Sequence, residues 1–423
     1  MHIGIIIGRI GGVDGVALET EKWIEVLERL GHEVYLLSGV FEKKILDQEK
    51  QTVLPILSFF SPECHWEQRK AFFKPSGRVE PIIRGLKKNS QFIAKAIISW
   101  IEKNKIDLLI SQNASALPCH LSMGMGIKKA IEDSDIKVIT HDHDFPWERS
   151  SRYLTPHQKI EKLINDNFPL NLPNVKHVVI NSAAQHTLKT KFKIKSMIIP
   201  NVMDFDREYG ELTDYNATLP YDLGLKEGDI PLLQVTRVVR RKKIETAFEL
   251  IRKLNDGRIK LVITGSHRDD EGGHYFDFLL DYLHDSAIED RIIIAADKIG
   301  NKIGIQPDGH KRYTLSDAYA HGVGCTYFSD YEGFGNAFVE AIAAKKPIFV
   351  NNYKPVYWPE IGSKGFKTVM IEDNNLTDKA VDDIREVIFN EKLQKKIVEH
   401  NYALGKKYFS YQVLQEKLET LLA

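Results

Sequence analysis

Cysteine is scarce in this chain: Cys64, Cys119 and Cys325 are the only three in 423 residues, widely spaced and odd in number. That excludes a disulfide framework and any Cys-x-x-Cys pair, and it predicts a reducing, cytoplasmic setting. An excess of either charge is lacking too. Fifty-eight Lys and Arg balance 58 Asp and Glu, so no overall field draws in nucleic acid, and no nucleic-acid partner is expected. Nothing in the sequence approaches the roughly 20 uninterrupted apolar residues of a membrane span, which leaves peripheral membrane contact as the only kind open. The opening Met1-His-Ile-Gly-Ile-Ile-Ile-Gly8 has no basic stretch before its apolar run and leads into a glycine-rich turn. This predicts a first strand rather than a signal peptide. Repeats of solenoid length and low-complexity tracts are also missing.

What is present is alternation. Short apolar runs and amphipathic stretches follow one another from end to end, the pattern of parallel sheets covered by helices. The length exceeds one ordinary hydrophobic core. One series predicts strands at Ile3–Ile7, Glu33–Leu37, Asp107–Ile110, Lys137–Thr140 and His177–Ile180, with a helix over about 16–30. A second predicts strands at Leu232–Val235, Lys260–Thr264, Arg291–Ile294, Val323–Tyr327 and Pro347–Val350. Between them Met197-Ile-Ile-Pro200-Asn201-Val-Met-Asp204 reads as a strand running into a linker. The expectation is an α/β chain with domains over 1–203 and 204–395 and a helix-rich tail over 396–423.

The most constraining stretch is Ser329-Asp-Tyr-Glu332-Gly-Phe-Gly-Asn-Ala-Phe-Val-Glu340. Gly333 and Gly335 let the backbone approach a ligand closely, and the residues from Asn336 read as a helix whose free amides face an anion. Glu340 sits among apolar neighbours, where a lone carboxylate is costly without donors; ribose hydroxyls would supply two. A buried Glu paired with a structural cation is the alternative. Upstream, five cations fill Arg237-Val-Val-Arg-Arg-Lys242-Lys243 at a strand-to-helix turn, the edge of an open sheet where ligands bind. Cations at a helix start oppose the helix dipole, so an anion is expected there.

Three further clusters stand out in the sequence. Gly8-Arg-Ile-Gly11-Gly12-Val-Asp-Gly15 follows the first strand but lacks the G-x-G-x-x-G spacing, and the second strand ends without a ribose-binding acid, so a dinucleotide site is disfavoured. His141-Asp142-His143-Asp144-Phe-Pro-Trp147-Glu-Arg149-Ser-Ser-Arg152 follows another strand. Its His and Asp alternation suits a metal only with a distant third ligand, which the sequence does not reveal. Trp147 offers a face for a sugar ring, and Arg149 and Arg152 offer donors for a carboxylate or phosphate. From Arg69 to Lys95, eight cations stand against the single acid Glu80 and interleave with Ile82, Ile83, Leu86, Phe92, Ile93 and Ile97. Such a face suits anionic lipid or an anionic acceptor, or is simply the solvated side of a covering helix.

Glu332 and Glu340 with the intervening Gly-Phe-Gly resemble the E-x7-E signature of the retaining GT-B glycosyltransferases of group 1, with Asn336 where Leu is common. The Arg237 to Lys242 spacing resembles the family's diphosphate-binding Arg/Lys pair, Gly265 its strand-Gly loop near the base, Gly11 and Gly12 its Gly-Gly entry, and 198–204 its Ile-Pro-Asn linker. The resemblance implies two Rossmann-like domains with parallel sheets facing a central cleft, and a nucleotide-sugar donor held by Gly265, Gly333, Phe334, Gly335, Asn336 and Glu340. It implies that Arg237 and Lys242 stabilise the leaving diphosphate while Glu332 and either His141 or His143 meet the transferred sugar. It also implies that Gly11, Gly12, Asn113, Asp144, Trp147, Arg149 and Arg152 line the acceptor side. Neither cofactor nor metal is implied. The first domain's loops loosely resemble those of mannosylglucosylglycerate synthase-like enzymes, soluble compatible-solute transferases whose acceptors are small glycosides bearing a carboxylate or phosphate.

Overall fold

The computed structural model describes every residue except 13, 76, 150, 267–273, 301, 307 and 308. It divides into two compact units, one of residues 1–200 with 414–423 and one of residues 201–413. The apolar runs become strands. In the first unit β1 (His2–Ile7), β2 (Glu33–Ser38), β3 (Gln51–Val53), β4 (Leu108–Gln112), β5 (Lys137–Asp142), β6 (Val175–Val179) and β7 (Ser196–Ile198) form one parallel sheet of order β3-β2-β1-β4-β5-β6-β7. Burial on both faces explains why Ile3, Ile5, Ile6 and Ile7 alternate with no polar residue.

In the second unit β8 (Ile230–Gln234), β9 (Ile259–Ile263), β10 (Ile292–Ile294), β14 (Gly324–Tyr327), β15 (Ile348–Asn351) and β16 (Val369–Ile371) form a parallel sheet of order β10-β9-β8-β14-β15-β16. A small sheet of β11 (Ile299–Gly300), β12 (Gly304–Ile305) and β13 (Lys311–Thr314) precedes β14. Neither it nor the short strands β3 and β16 is announced by the sequence, because two to four residues are too few for a period to show.

Helices cover both sheets. Helix α1 (Gly15–Arg29) starts where Asp14 accepts a 3.1 Å bond from the Ala17 amide. Helix α2 (Val79–Asn104) buries Ile82, Leu86, Ile93, Ile97 and Trp100 and packs on α3 (Leu121–Ser134). This i, i+4, i+7 spacing makes α2 a covering helix with its cations turned to solvent. Phe92, grouped with the apolar face by the sequence, is 57% exposed. The second unit adds α4 (Ile244–Leu254), α5 (Leu315–His321), α6 (Asn336–Ala343), α7 (Asp378–Phe389), α8 (Glu391–Phe409) and α9 (Tyr411–Leu422), which runs from the second unit's end into the first's last segment. Among the described residues no helix is long and apolar enough to cross a membrane.

Each large sheet has one place where the chain order reverses: β1 lies between β2 and β4, and β8 lies between β9 and β14. The loops that leave neighbouring strands in opposite directions open a crevice there, which is where α/β sheets take ligands.

Candidate functional site

At the second unit's reversal, the loop after β8 meets the loop after β14. The first tightens into a 3-10 turn over Arg240–Lys242, and Lys243 takes a left-handed conformation (φ 49°) to start α4. The second carries Ser329 to Gly335. Arg241 stitches the two together: its carbonyl accepts from the Asp330 amide at 2.8 Å, and its guanidinium donates to the Tyr331 carbonyl and to Glu332 Oε2, each at 2.8 Å. The Lys242 ammonium takes the other oxygen, Oε1, and lies 5.3 Å from the centre of the Tyr327 ring. Lys243 pairs with Asp330 at 3.3 Å.

These charges are out of water, with Glu332 only 6% exposed and Lys242 only 7%. Burial pushes the Glu332 carboxyl up, yet the charges of Lys242 and Arg241 outweigh it and hold the group at about 2. Burial pulls the Lys242 ammonium down to about 8 against the Glu332 carboxylate, with Arg241 and Arg237 pulling the same way as burial. The pair is therefore ionised at neutral pH, and the cation carries little surplus proton affinity.

Glycine is forced at two points here. A Cβ on Gly265 would lie 1.8 Å from the Thr236 carbonyl oxygen, so the loop after β9 presses directly on the one after β8. Gly335 has φ 138°, and a Cβ there would meet Tyr353 Oη at 2.5 Å; that hydroxyl donates to the Phe334 carbonyl at 3.0 Å. The Phe334 ring is buried and packs edge-on against Phe409 at 5.4 Å, and Phe409 stacks on Phe366 at 5.7 Å. What Phe334 can offer a donor is thus its backbone, not its ring. At the start of α6 the Asn336 side-chain oxygen accepts from Asn201 at 2.6 Å. Glu340, on the next turn, is half-buried rather than enclosed, with Tyr319 Oη 3.4 Å from its Oε2.

Arg237 is exposed at the mouth of the same loop. The fold thus gathers Arg237, Lys242, Gly265, Glu332, Gly333, Gly335 and Asn336 around one crevice. It adds Arg241, which the sequence run of four cations concealed: which of them faces the neighbouring loop depends on a three-residue turn. Residues 267–273 of the loop that follows Gly265 lie outside the described residues.

In the first unit, Asn113 takes φ 50° after β4, donates its amide to the His141 carbonyl at 2.9 Å and accepts the His143 amide on Oδ1 at 3.0 Å. It thereby ties the ends of β4 and β5. The His141 ring stacks on Trp23 (4.1 Å, 20°), and its Nδ1 donates to Gln112 Oε1 at 2.9 Å. The His143 ring lies 4.4 Å from it. Nε2 of each histidine, Gln112 Nε2 and Asp142 Oδ1 are buried without a hydrogen-bond partner. Along β5 and the residue after it, the two histidines share a face with Gln112, while Asp142 lies on the face of Thr140; buried polar atoms without a partner are costly on either. Burial lowers the His141 imidazole well below its ordinary value, helped by His143, and lowers His143 to about 4 against the opposing charges of Asp144 and Asp14. Both rings are neutral at physiological pH. Burial also pushes Asp142 up to about 7.

Other acceptor-side candidates are already engaged. Asp144 accepts from Arg149 Nη2 at 2.6 Å, the Arg152 guanidinium lies 5.2 Å from the Phe73 ring, and Trp147 stacks on Phe145 (4.6 Å) and on Phe192 (5.1 Å). The Trp147 ring therefore belongs to a packed aromatic cluster. Gly11 has φ 91°, and a Cβ on it would meet the Lys43 amide nitrogen at 2.7 Å; one on Gly12 would meet Glu42 Oε1 at 2.9 Å. The neighbouring backbone and its positive φ account for Gly11, while at Gly12 only the flexible Glu42 carboxylate stands in the way. Among the described residues no group of three or more His, Cys, Asp or Glu side chains could hold a metal ion.

Residues 217–404 match the family described as Glycosyl transferases group 1. Over 99% of both chains the sequence is 29% identical to the mannosylglucosylglycerate synthase of Thermotoga maritima. It is 28% identical to that of Petrotoga mobilis, over 97% of this chain and 98% of the relative. In fold it is similar to a glycosyltransferase from Rickettsia africae (TM-score 0.68, 18% identity, 99% and 97% of the two chains). It is also similar to an Anabaena protein solved with UDP and glucose (TM-score 0.66, 14% identity, 100% and 99%).

Proposed function

The chain being a glycosyltransferase with a group 1 domain on the GT-B fold, we propose that it moves a hexose from a nucleotide-diphosphate sugar to a hydroxyl of a small anionic acceptor of the glycosylglycerate class. Transfer proceeds with retention and without a metal ion. One observation carries the donor half: at the second unit's reversal an internal carboxylate, Glu332, already sits on a buried cation, Lys242, and a partly exposed one, Arg241. A site that holds an anion in low dielectric is built for the diphosphate whose charge grows as the sugar leaves.

In this reading Lys242 and Arg237 face the diphosphate, the amide end of α6 adds its partial positive charge, and Glu340 accepts from the ribose hydroxyls. The bond from the anomeric carbon to the phosphate oxygen breaks with its electron pair going to the diphosphate. The acceptor oxygen bonds to that carbon on the same face, and its proton passes to the departing phosphate oxygen. His143 meets the transferred sugar through Nε2, and His141, locked by Trp23 and Gln112, supports it. The relatives' name supports the acceptor class and a mannosyl group as the hexose.

Incubation with GDP-, UDP- and ADP-hexoses, glucosylglycerate and EDTA tests this. The expected result is one preferred nucleotide, release of its diphosphate, and a new glycoside of unchanged anomeric configuration by NMR. Hydrolysis alone, or no product across the panel, dismisses it. A lipid-linked or polysaccharide acceptor is the second reading. It is favoured by the exposed Arg69, Lys74, Arg78, Arg84, Lys87, Lys88 and Lys95, none of which has an ion-pair partner among the described residues. Flotation with anionic liposomes separates the two.

A further inference from the structure

We propose that Arg241 is a positioning residue of the donor site: it keeps Glu332 aimed and its loop fixed when Lys242 leaves that carboxylate for the donor diphosphate. The inference rests on the donor reading given above and adds to it a residue that neither the Arg/Lys pair nor the paired glutamates include.

The argument begins with three consecutive residues. Asp330, Tyr331 and Glu332 are each bonded to Arg241, the first through backbone and the other two through the guanidinium. Planar guanidinium donors can serve a carbonyl and a carboxylate together, which a lysine ammonium cannot do in fixed directions. Lys242 holds only the opposite carboxylate oxygen. Its two tasks pull on one ammonium: one of its three donors holds Glu332, and drawing the others to phosphate oxygens lengthens that contact. If Lys242 were the sole holder, donor binding would set Glu332 adrift at the moment it is needed beside the sugar. Arg241 removes the conflict. Its hold on Oε2 and on the Tyr331 carbonyl does not involve Oε1, so Lys242 can turn while the loop stays put.

The charges facing Lys242 are Glu332 from the β14 loop, Arg241 and Arg237 from its own loop, and the Tyr327 ring from β14. Arg241 is one of those that depress its proton affinity, so removing Arg241 raises it. The alkaline limb of the rate profile then moves to higher pH. A residue that merely stabilised the fold would lower activity without that displacement.

The test compares Arg241→Met and Arg241→Lys with the unaltered protein in two arms. In steady-state transfer assays, Arg241→Met is expected to lower kcat about 100-fold with donor KM changed less than about 3-fold, and to move the alkaline limb upward. Arg241→Lys, which keeps the charge but lacks the fixed planar donor directions, recovers only part of the rate. A loss of nucleotide affinity as large as the loss in kcat makes Arg241 a phosphate ligand and overturns the proposal; so does an unchanged kcat. The second arm needs no turnover. Hydrogen exchange at amides 330–335 is expected to accelerate in Arg241→Met at least 10-fold, and not in Lys242→Met. Equal protection in Arg241→Met and the unaltered protein overturns the proposal even if no sugar is ever transferred, whereas accelerated exchange with no transfer faults the donor reading alone.

Discussion

Replacing Glu332 by Gln keeps the shape of the side chain and removes the charge that Lys242 and Arg241 share. A carboxyl held at about 2 in place of its ordinary 4.5 contributes about 3 kcal/mol to the folded state at neutral pH, taking ~1.36 kcal/mol for each tenfold change in proton affinity. The sign follows from the direction: the folded value is depressed, so the contribution is complete above about 4.5 and disappears as pH falls through about 2. The variant also leaves a buried ammonium without its anion, which acts in the same direction. For a unit of this size about 3 kcal/mol corresponds to a Tm roughly 6 to 12 °C lower. Differential scanning calorimetry at pH 7, 5, 4 and 3 resolves the second unit's transition. The gap between the two proteins should be full at pH 7 and 5 and shrink visibly by pH 3. A variant melting within about 2 °C of the unaltered protein at pH 7, or a gap that stays constant down to pH 3, would refute the charge argument.

Gly265→Ala drives a methyl group onto the Thr236 carbonyl oxygen and should cost about 2 to 3 kcal/mol, read by urea unfolding; a cost below about 0.5 kcal/mol would mean the two loops separate freely. His141→Ala empties a stacked position beside Trp23 and should lower stability by about 3 kcal/mol. His143→Ala should leave the Tm within a few degrees and cut transfer about 100-fold, so stability losses of equal size would erase the distinction between them. Glu340→Ala should weaken nucleotide binding about 10- to 100-fold, the value of one or two charge-assisted hydrogen bonds. Unchanged affinity by calorimetry would remove its ribose role.

The long parallel strands and the α6 helix were legible because each buries both faces or carries an unbroken apolar period, as Ile3 to Ile7 and Ile259 to Ile263 do. Their order in the sheets was not, since nothing in the sequence says that β8 lies beside β14 rather than at an edge. Candidate residues stand out in the sequence where residue type alone is informative: two glutamates around Gly-Phe-Gly, a cation run, a His-Asp alternation. Partnership was hidden. Glu332 attracted attention for a ligand, yet its partners Arg241 and Lys242 lie some 90 positions away in the chain. Trp147 stands out in the sequence as a face for a sugar ring, while the structure stacks it on Phe145 and Phe192. Glu340 looked enclosed by apolar neighbours because α6 was read without α5, whose Tyr319 brings a phenol to it.

Phe409 ends α8, and its ring closes on Phe334 inside the glycine turn that precedes Asn336. A stop codon a few positions earlier would delete no residue of the crevice and little of the second sheet's cover. It would still leave the turn without its aromatic anchor, and it would also remove α9, whose Leu414, Leu418 and Leu421 are buried. Cutting this chain ahead of Phe409 therefore reaches the glycine turn before Asn336 as well as the first unit's core, and needs controls as careful as those for a change beside Glu332 itself.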